Sequence, residues 1–420
     1  MNATAPPGMA LWSPLAHMPS VLDHRRVMVA GDGAYVTTRE GRRLLDATAG
    51  LWHANVGHGR PEIAEAASRQ MRRLETYHSF GFYSNDQALS LADRLAALVP
   101  VPDPRIIFTS GGSDSVEVTA KLARLHWQLE GEPDRTVVLS RADSYHGLHA
   151  YGSSLTGPDH YRDGYGPGTL VPDTARFSST DADDLLRVLA DVGAHRVAAI
   201  ILEPVIGSGG IIAPPAGYLE AVQEAAARHG ILLIADEVIT GFGRTGHWFA
   251  SQRFAFEPDM MTLAKGLTSG YAPLGAAVVS ERIWRRFYDA RDTAVYQHGL
   301  TYSGHATACA VAHANLDVLE ADGLVARAAH LEKVLDQELQ RLRNRPDIRE
   351  IRTGGGFLAG VAPVDEISAT AVADHAFEHG VLLRPLRDNL LQISPPFVVT
   401  EEEIATIVNV IEGALEHHAG

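Results

Sequence analysis

The chain has 420 residues, of which 45% are hydrophobic and 21% charged, enough for two or three domains with a sizeable core and not the make-up of a disordered chain. Its 36 Lys and Arg face 51 Asp and Glu, a net charge of −15 that repels phosphate backbones and anionic lipid, so neither nucleic acid nor a membrane is an expected partner. No apolar stretch reaches the roughly 18 residues of a membrane span, and the single cysteine, Cys309, excludes an internal disulfide and a cysteine zinc cluster.

The N-terminal MNATAPPGMALW lacks the basic and apolar regions of a secretory signal, so a cytoplasmic location is expected. Residues 1–60 read as strand and loop, with turns at Gly31-Asp32-Gly33 and Arg39-Glu40-Gly41. A helix is predicted from Pro61, because proline suits a first turn and Ile63, Ala67, Met71 and Leu74 keep helical spacing. A second helix carries Leu91, Leu95 and Leu98 on one face. Arg105–Thr109 then reads as a strand and Ser110-Gly111-Gly112-Ser113 as a loop. The helix that follows has Val116, Ala120, Ala123 and Trp127 on one stripe. Residues 136–140, 197–202, 231–235 and 276–280 are short continuous apolar runs, the pattern of parallel strands buried on both faces. The helix Tyr218–His229 ends at Gly230. Beyond residue 310 the chain reads as mostly helical to Arg343. Short strands at 357–361, 381–384 and 391–393 then mix with helices, and a capping box at Thr400 and Glu403 opens the last helix. The predicted architecture is α/β. A large domain with a mostly parallel sheet spans residues 61–310, and residues 1–60 and 311–420 together form a smaller α+β domain.

Only three of the 36 basic residues are lysines: Lys121, Lys265 and Lys333. Lys265 follows the apolar run Met260-Met261-Thr262-Leu263-Ala264. A buried ammonium is costly unless paired or neutralised. Burial also lowers its pKa, and a neutral amine condenses with carbonyls as an arginine cannot. A lysine at a strand end can instead hold its head in solvent, but the scarcity of lysine here and the glycine after it favour the chemical role. The run 231–235 leads into Asp236 and Glu237, at the edge where open α/β sheets bind ligands, although an acid there can also serve as a cap. Between strand and helix, Thr109-Ser110-Gly111-Gly112-Ser113-Asp114 offers backbone N–H groups to an anion such as phosphate. It lacks the lysine of a Walker loop. An amine nucleophile, an anion cradle and a buried carboxylate together suit pyridoxal phosphate. The lysine makes the Schiff base, the loop holds phosphate, and the aspartate keeps the ring nitrogen protonated. His53, His58, His146 and His149 show no helical ligand pair with a third ligand, so no metal is expected.

The segment Asp236-Glu-Val-Ile-Thr-Gly-Phe-Gly-Arg-Thr-Gly246, followed by Leu263-Ala-Lys265-Gly-Leu267, resembles the signature of class III pyridoxal-phosphate-dependent aminotransferases. The similarity covers nearly the whole chain. It takes in Leu51-Trp-His-Ala-Asn-Val-Gly-His-Gly59, Ser144-Tyr-His-Gly147, Glu203-Pro204, His298-Gly-Leu-Thr-Tyr-Ser-Gly-His305 and Arg384-Pro385. The Trp of the first of these is most like the ω-amino-acid:pyruvate branch, the ω-transaminases.

The resemblance implies fold type I and transfer of an amino group from a primary amine or ω-amino acid to a keto acid, with pyruvate the expected acceptor. Lys265 would form the Schiff base and move the proton, and pyridoxamine phosphate would carry the amino group. Asp236 would pair with the ring nitrogen, Tyr145 and Val238 would cover the two ring faces, and Glu203 would be a further acid near the ring. Gly112 and Ser113, with Gly111, would bind phosphate. Thr301 would reach the phosphate of the neighbouring subunit, since the family shares its sites across a homodimer, alone or paired as a dimer of dimers. Trp52, Phe80 and Phe82 would wall the substrate pocket, and Arg384 would clamp a carboxylate, with Arg387 a nearby alternative. Two departures stand out. The phosphate loop reads Ser-Gly-Gly-Ser-Asp where many relatives have Ser-Gly-Ser-Glu-Ala, and Ser208 stands where a glutamate would pair with the mobile arginine. On the same scaffold an aminomutase or racemase is the alternative, and outside catalysis a protein that only binds the cofactor.

Overall fold

The buried apolar runs assemble into one seven-stranded sheet. Its order is Arg105–Thr109, Gly275–Val279, Met260–Leu263, Leu232–Asp236, Val197–Leu202, Val137–Arg141 and Thr174–Phe177. These elements belong to a computed structural model that describes residue 8, residues 10–289 and residues 294–419. The last five strands pair in parallel. Every residue of Val197–Leu202 and Leu232–Asp236 is buried. Both faces of these strands are covered, which is why they read as continuous apolar runs rather than as an alternation. Each wholly buried Ile or Leu there contributes about 2 kcal/mol.

Gly275–Val279 corrects one expectation, because it runs antiparallel to both of its neighbours. The link from Leu263 to Gly275 contains only a single turn, Lys265–Leu267. A parallel return needs a crossover of a dozen or so residues, usually helical. The helices Pro61–Arg73, Asp86–Leu98, Gly112–Leu129 and Tyr218–His229 form where the periodicity puts them, and Gly230 ends the last in the left-handed region. The helix Met18–His24 was not legible in a stretch read as strand and loop. It begins at a proline-containing turn but buries no side-chain stripe, so no periodicity marks it.

Two smaller sheets involve the chain ends. Met28–Asp32, Tyr35–Thr38 and Arg43–Asp46 form one with Val381–Leu382, which pairs in parallel with Arg43–Asp46. The other has the order Ile348–Arg352, Ala359–Pro363, Leu390–Ile393, Arg384–Leu386. The single strand expected at 381–384 is therefore two strands in two sheets, separated at Leu383, and Arg384 opens an edge strand. The capping box of the last helix, Glu401–Ala419, is formed: Thr400 N–H donates to the Glu403 carboxylate at 2.8 Å and Glu403 N–H donates to Thr400 Oγ1 at 3.1 Å. Among the described residues no helix is long and apolar enough to cross a membrane.

Candidate active site

At the carboxyl end of the parallel strands lies a cavity of about 180 Å³. It is lined by Gly112, Ser113, Tyr145, Glu203, Asp236, Val238 and Lys265, together with Val116, His146, Gly147 and Ile239. The backbone alternation at the end of the strand Leu232–Asp236 explains which of Asp236 and the following Glu237 faces the cavity. Asp236 does. The buried Glu237 turns the other way, accepting from Ala250 N–H at 3.0 Å, Ser251 N–H at 2.7 Å, Ser251 Oγ at 2.7 Å and the Thr240 hydroxyl. It staples the loop that follows Asp236.

Lys265 comes just after the strand Met260–Leu263, with φ at +44°, a conformation that is uncommon outside glycine and is often held at functional sites. Its amine borders the cavity yet is surrounded by protein, and this burial lowers its pKa to about 8. The Asp236 and Glu203 carboxylates oppose that shift, and the Arg384 charge adds to it. A substantial neutral fraction near pH 8 makes this amine a usable nucleophile.

The helix Gly112–Leu129 points its first N–H groups at the cavity, favouring an anion there. A Cβ at Gly112 would sit 2.9 Å from Val238 Cγ1, so glycine is what lets the helix start come this close to the opposite wall. Of the loop hydroxyls, Ser113 lines the cavity. Ser115 instead turns to Thr109 Oγ1 at 2.8 Å and to the carbonyls of Gly111 and Leu263. Gly111 lies one residue outside the lining.

Glu203 accepts from Tyr145 N–H at 2.9 Å and Gly207 N–H at 3.0 Å. Burial raises its pKa, and nearby Asp236 raises it further. The sequence suggests for His146 only a test as a metal ligand, yet its Nδ1 lies 2.7 Å from Asp236 Oδ2, with both side chains buried. Its position beside Tyr145 in Tyr-His-Gly was the available signal. An amine, a carboxylate backed by an imidazole, and an anion-binding helix start thus surround one cavity. That set fits the aldehyde, ring nitrogen and phosphate of pyridoxal phosphate.

Other predicted residues lie elsewhere. Trp52 is 1% exposed, in a core cluster with Val205, Ile211, Leu358 and Ile239, and only Ile239 of these lines the cavity. Phe80 is half-exposed, Phe82 wholly exposed and Thr301 exposed, and none of the three borders the cavity. Arg384 borders an adjoining groove with Thr48 and His58, close enough to Lys265 and Tyr145 to shift both their pKa values. Among the described residues it has no acidic partner. Arg387 is held by Asp143 at 2.6 Å and Asp388 at 2.9 Å. Ser208 lines a neighbouring recess of about 240 Å³ with Tyr145, Tyr161 and Arg387. No group of three or more His, Cys, Asp or Glu among the described residues is arranged to hold a metal ion.

Comparison with known proteins gives the same reading. Residues 19–415 match the family described as "Aminotransferase class-III". The chain is 36% identical to an omega-aminotransferase of Caulobacter vibrioides, with 97% of each chain covered. It is 34% identical to the putrescine–pyruvate aminotransferase of Pseudomonas aeruginosa, over 96% of this chain and 94% of that one. Among solved structures, the (S)-enantioselective omega-transaminase of Thermomicrobium roseum is similar at 37% identity and a TM-score of 0.92, covering 97% of this chain and 96% of that one. The chain belongs to the class III aminotransferases, pyridoxal-phosphate-dependent enzymes that move an amino group between an amine and a keto acid.

Proposed function

We propose that this enzyme moves an amino group from a primary amine or ω-amino acid to pyruvate, acting in the cytoplasm as a homodimer with shared sites. The observation that carries the reading is Lys265 with its depressed pKa, set in one cavity with Asp236 and the helix start at Gly112. Pyruvate as acceptor is supported by the putrescine–pyruvate relative, and a cytoplasmic setting by a lone buried cysteine with no disulfide to form.

When bound, pyridoxal phosphate supplies an aldehyde for amine exchange and a ring that accepts the electron pair released at the substrate carbon. Lys265 Nζ would take the proton from the amine-bearing carbon of the substrate as general base and then, as general acid, give it up on the cofactor side rather than back to that carbon. Asp236 presents its carboxylate to the ring nitrogen, with His146 holding it in orientation. Gly111, Gly112 and Ser113 bind the phosphate, Tyr145 and Val238 hold the ring from its two faces, and Glu203 orients the Tyr145 backbone. Residues 61–310 form the cofactor-binding domain and residues 1–60 and 311–420 a smaller one. The parallel pairing of Val381–Leu382 with Arg43–Asp46 supports joining the two ends. A panel of amines offered with pyruvate or 2-oxoglutarate tests the activity. Amine conversion that needs no keto acid would favour an isomerase instead.

Thr301, Phe80 and Phe82 act in the partner's site, with Phe80 and Phe82 on its pocket wall and Trp52 supporting the wall from behind. An exposed aromatic set around Thr301 (Tyr77, Phe80, Phe82, Tyr83 and Tyr302) supports a second copy covering this face. Lys265→Ala chains mixed with Thr301→Asp chains should then regain activity, because one site of each hybrid escapes both lesions. Random mixing predicts about a quarter of the wild-type rate. No recovery, or a fully active monomer on dilution, would refute shared sites.

Arg384 binds the keto-acid carboxylate. A guanidinium on the groove beside the cavity, with no acidic partner among the described residues, is available to an incoming carboxylate, whereas Arg387 is already engaged. Arg384→Ala is expected to raise the pyruvate KM by about 10- to 100-fold while sparing a carboxylate-free amine in the first half-reaction. Equal losses on both half-reactions would mark a structural role.

A further inference from the structure

Arg244 sits in the loop that begins at Asp236 and is wholly buried, yet among the described residues it has no ion-pair partner. A buried charge without a counter-ion destabilises a fold unless its donors are well used. Here Nη1 donates to the carbonyls of Phe357 at 3.0 Å and Pro395 at 2.9 Å and Nη2 donates to Asn55 Oδ1 at 3.2 Å, while Nε has no partner among the described residues. The guanidinium also lies 4.6 Å from the centre of the Phe397 ring, and the Arg244 carbonyl accepts from Phe357 N–H at 2.8 Å. The contact is close: a Cβ at Gly356, where φ is +130°, would lie 2.6 Å from the Arg244 carbonyl oxygen.

Those partners connect three parts of the site. Phe357 precedes the strand Ala359–Pro363 and Pro395 follows Leu390–Ile393, the two inner strands of their sheet. The edge strand of that sheet opens with Arg384, which lies opposite Gln392. Asn55 follows the Trp52 turn and donates to the Phe242 carbonyl at 3.0 Å. Its Nδ2 would be only 2.5 Å from a Cβ at Gly266, the neighbour of Lys265. One rigid fork therefore bridges the Asp236 loop, the segment behind Lys265 and the sheet that presents Arg384. A lysine, with a single point of attachment, cannot hold the three acceptors in that geometry.

We propose that Arg244 is a positioning residue that sets where Arg384 stands beside the cavity, and thereby the affinity for the keto acid. This rests on the reading of Arg384 as the carboxylate ligand. In the holoenzyme, Arg244→Lys should raise the pyruvate KM about tenfold. The first half-reaction with a carboxylate-free amine, and pyridoxal phosphate affinity by fluorescence titration of the apoenzyme, should each stay within about threefold. Because the effect runs through Arg384, Arg244→Lys added to Arg384→Ala should raise KM no further.

An unchanged KM in Arg384→Ala alone would overturn the reading of Arg384 itself. If Arg384→Ala raises KM but Arg244→Lys does not, or if the two effects add in full, the positioning role is overturned while that reading survives. A merely structural role would lower the melting temperature and the active fraction and leave KM alone, which also overturns it. Should Arg244→Lys fail to fold, Asn55→Ala, which removes one of the three bonds, takes the same test with an expected rise of about threefold. Failure of both to yield holoenzyme would make the contact a folding requirement and overturn the proposal.

Discussion

Lys265→Ala is expected to lower turnover by about 10⁴-fold or more while leaving the fold and noncovalent cofactor uptake in place. The amine is the only lysine lining the cavity, and the Ala variant leaves no amine there to move the substrate proton. Folding should not suffer. The replacement removes a cation whose burial already disfavours its charged form, and the helix start and Asp236, the proposed cofactor contacts, are untouched. Stopped-flow measurement of the first half-reaction checks this, with melting temperature as the control for folding. A rate within tenfold of wild type would assign proton transfer elsewhere.

Asp236→Asn should cost about 10²- to 10³-fold in turnover, with a smaller loss of cofactor affinity. The substitution keeps the shape and can keep a hydrogen bond to His146, but removes the negative charge that would favour a protonated ring nitrogen. His146 lies 2.7 Å from Asp236 Oδ2 and its other ring nitrogen is buried with no hydrogen-bond partner among the described residues. The imidazole thus has one polar side-chain contact to lose, and its orienting role depends on Asp236. Wild-type turnover would transfer the electrostatic role to Glu203, the other acid lining the cavity.

The parts of this site that were legible in the sequence are those fixed by local chemistry. A continuous apolar run marks a strand covered on both faces, so the end of Leu232–Asp236 and the carboxylate that closes it could be placed in advance, whereas Glu203 after Val197–Leu202 was named only through the family resemblance. Lys265 was visible because a rare cation closes an apolar run. What was hidden depends on pairing between distant segments. The direction of Gly275–Val279 follows from a short link, and the change of sheet at Leu383 from partners far along the chain. The placing of Trp52 follows from a turn with positive φ at Ala49, Gly50 and Trp52, which no residue pattern announces. The anchoring of that turn is equally nonlocal in part. Asp46 accepts from Thr48 and Gly50 and also lies 2.9 Å from His58. Arg244 read as one letter of a signature until its three acceptors were seen to come from both ends of the chain.

The central claim is that one lysine carries the chemistry, and chemical trapping of the cofactor tests it most directly. Holoenzyme treated with borohydride and digested should yield a single peptide bearing the reduced cofactor mass, the one containing Leu263-Ala-Lys265-Gly266. Label on Lys121, whose amine lies 2.8 Å from His298 Nδ1, or on Lys333, or a holoenzyme that takes no label at all, would contradict the account.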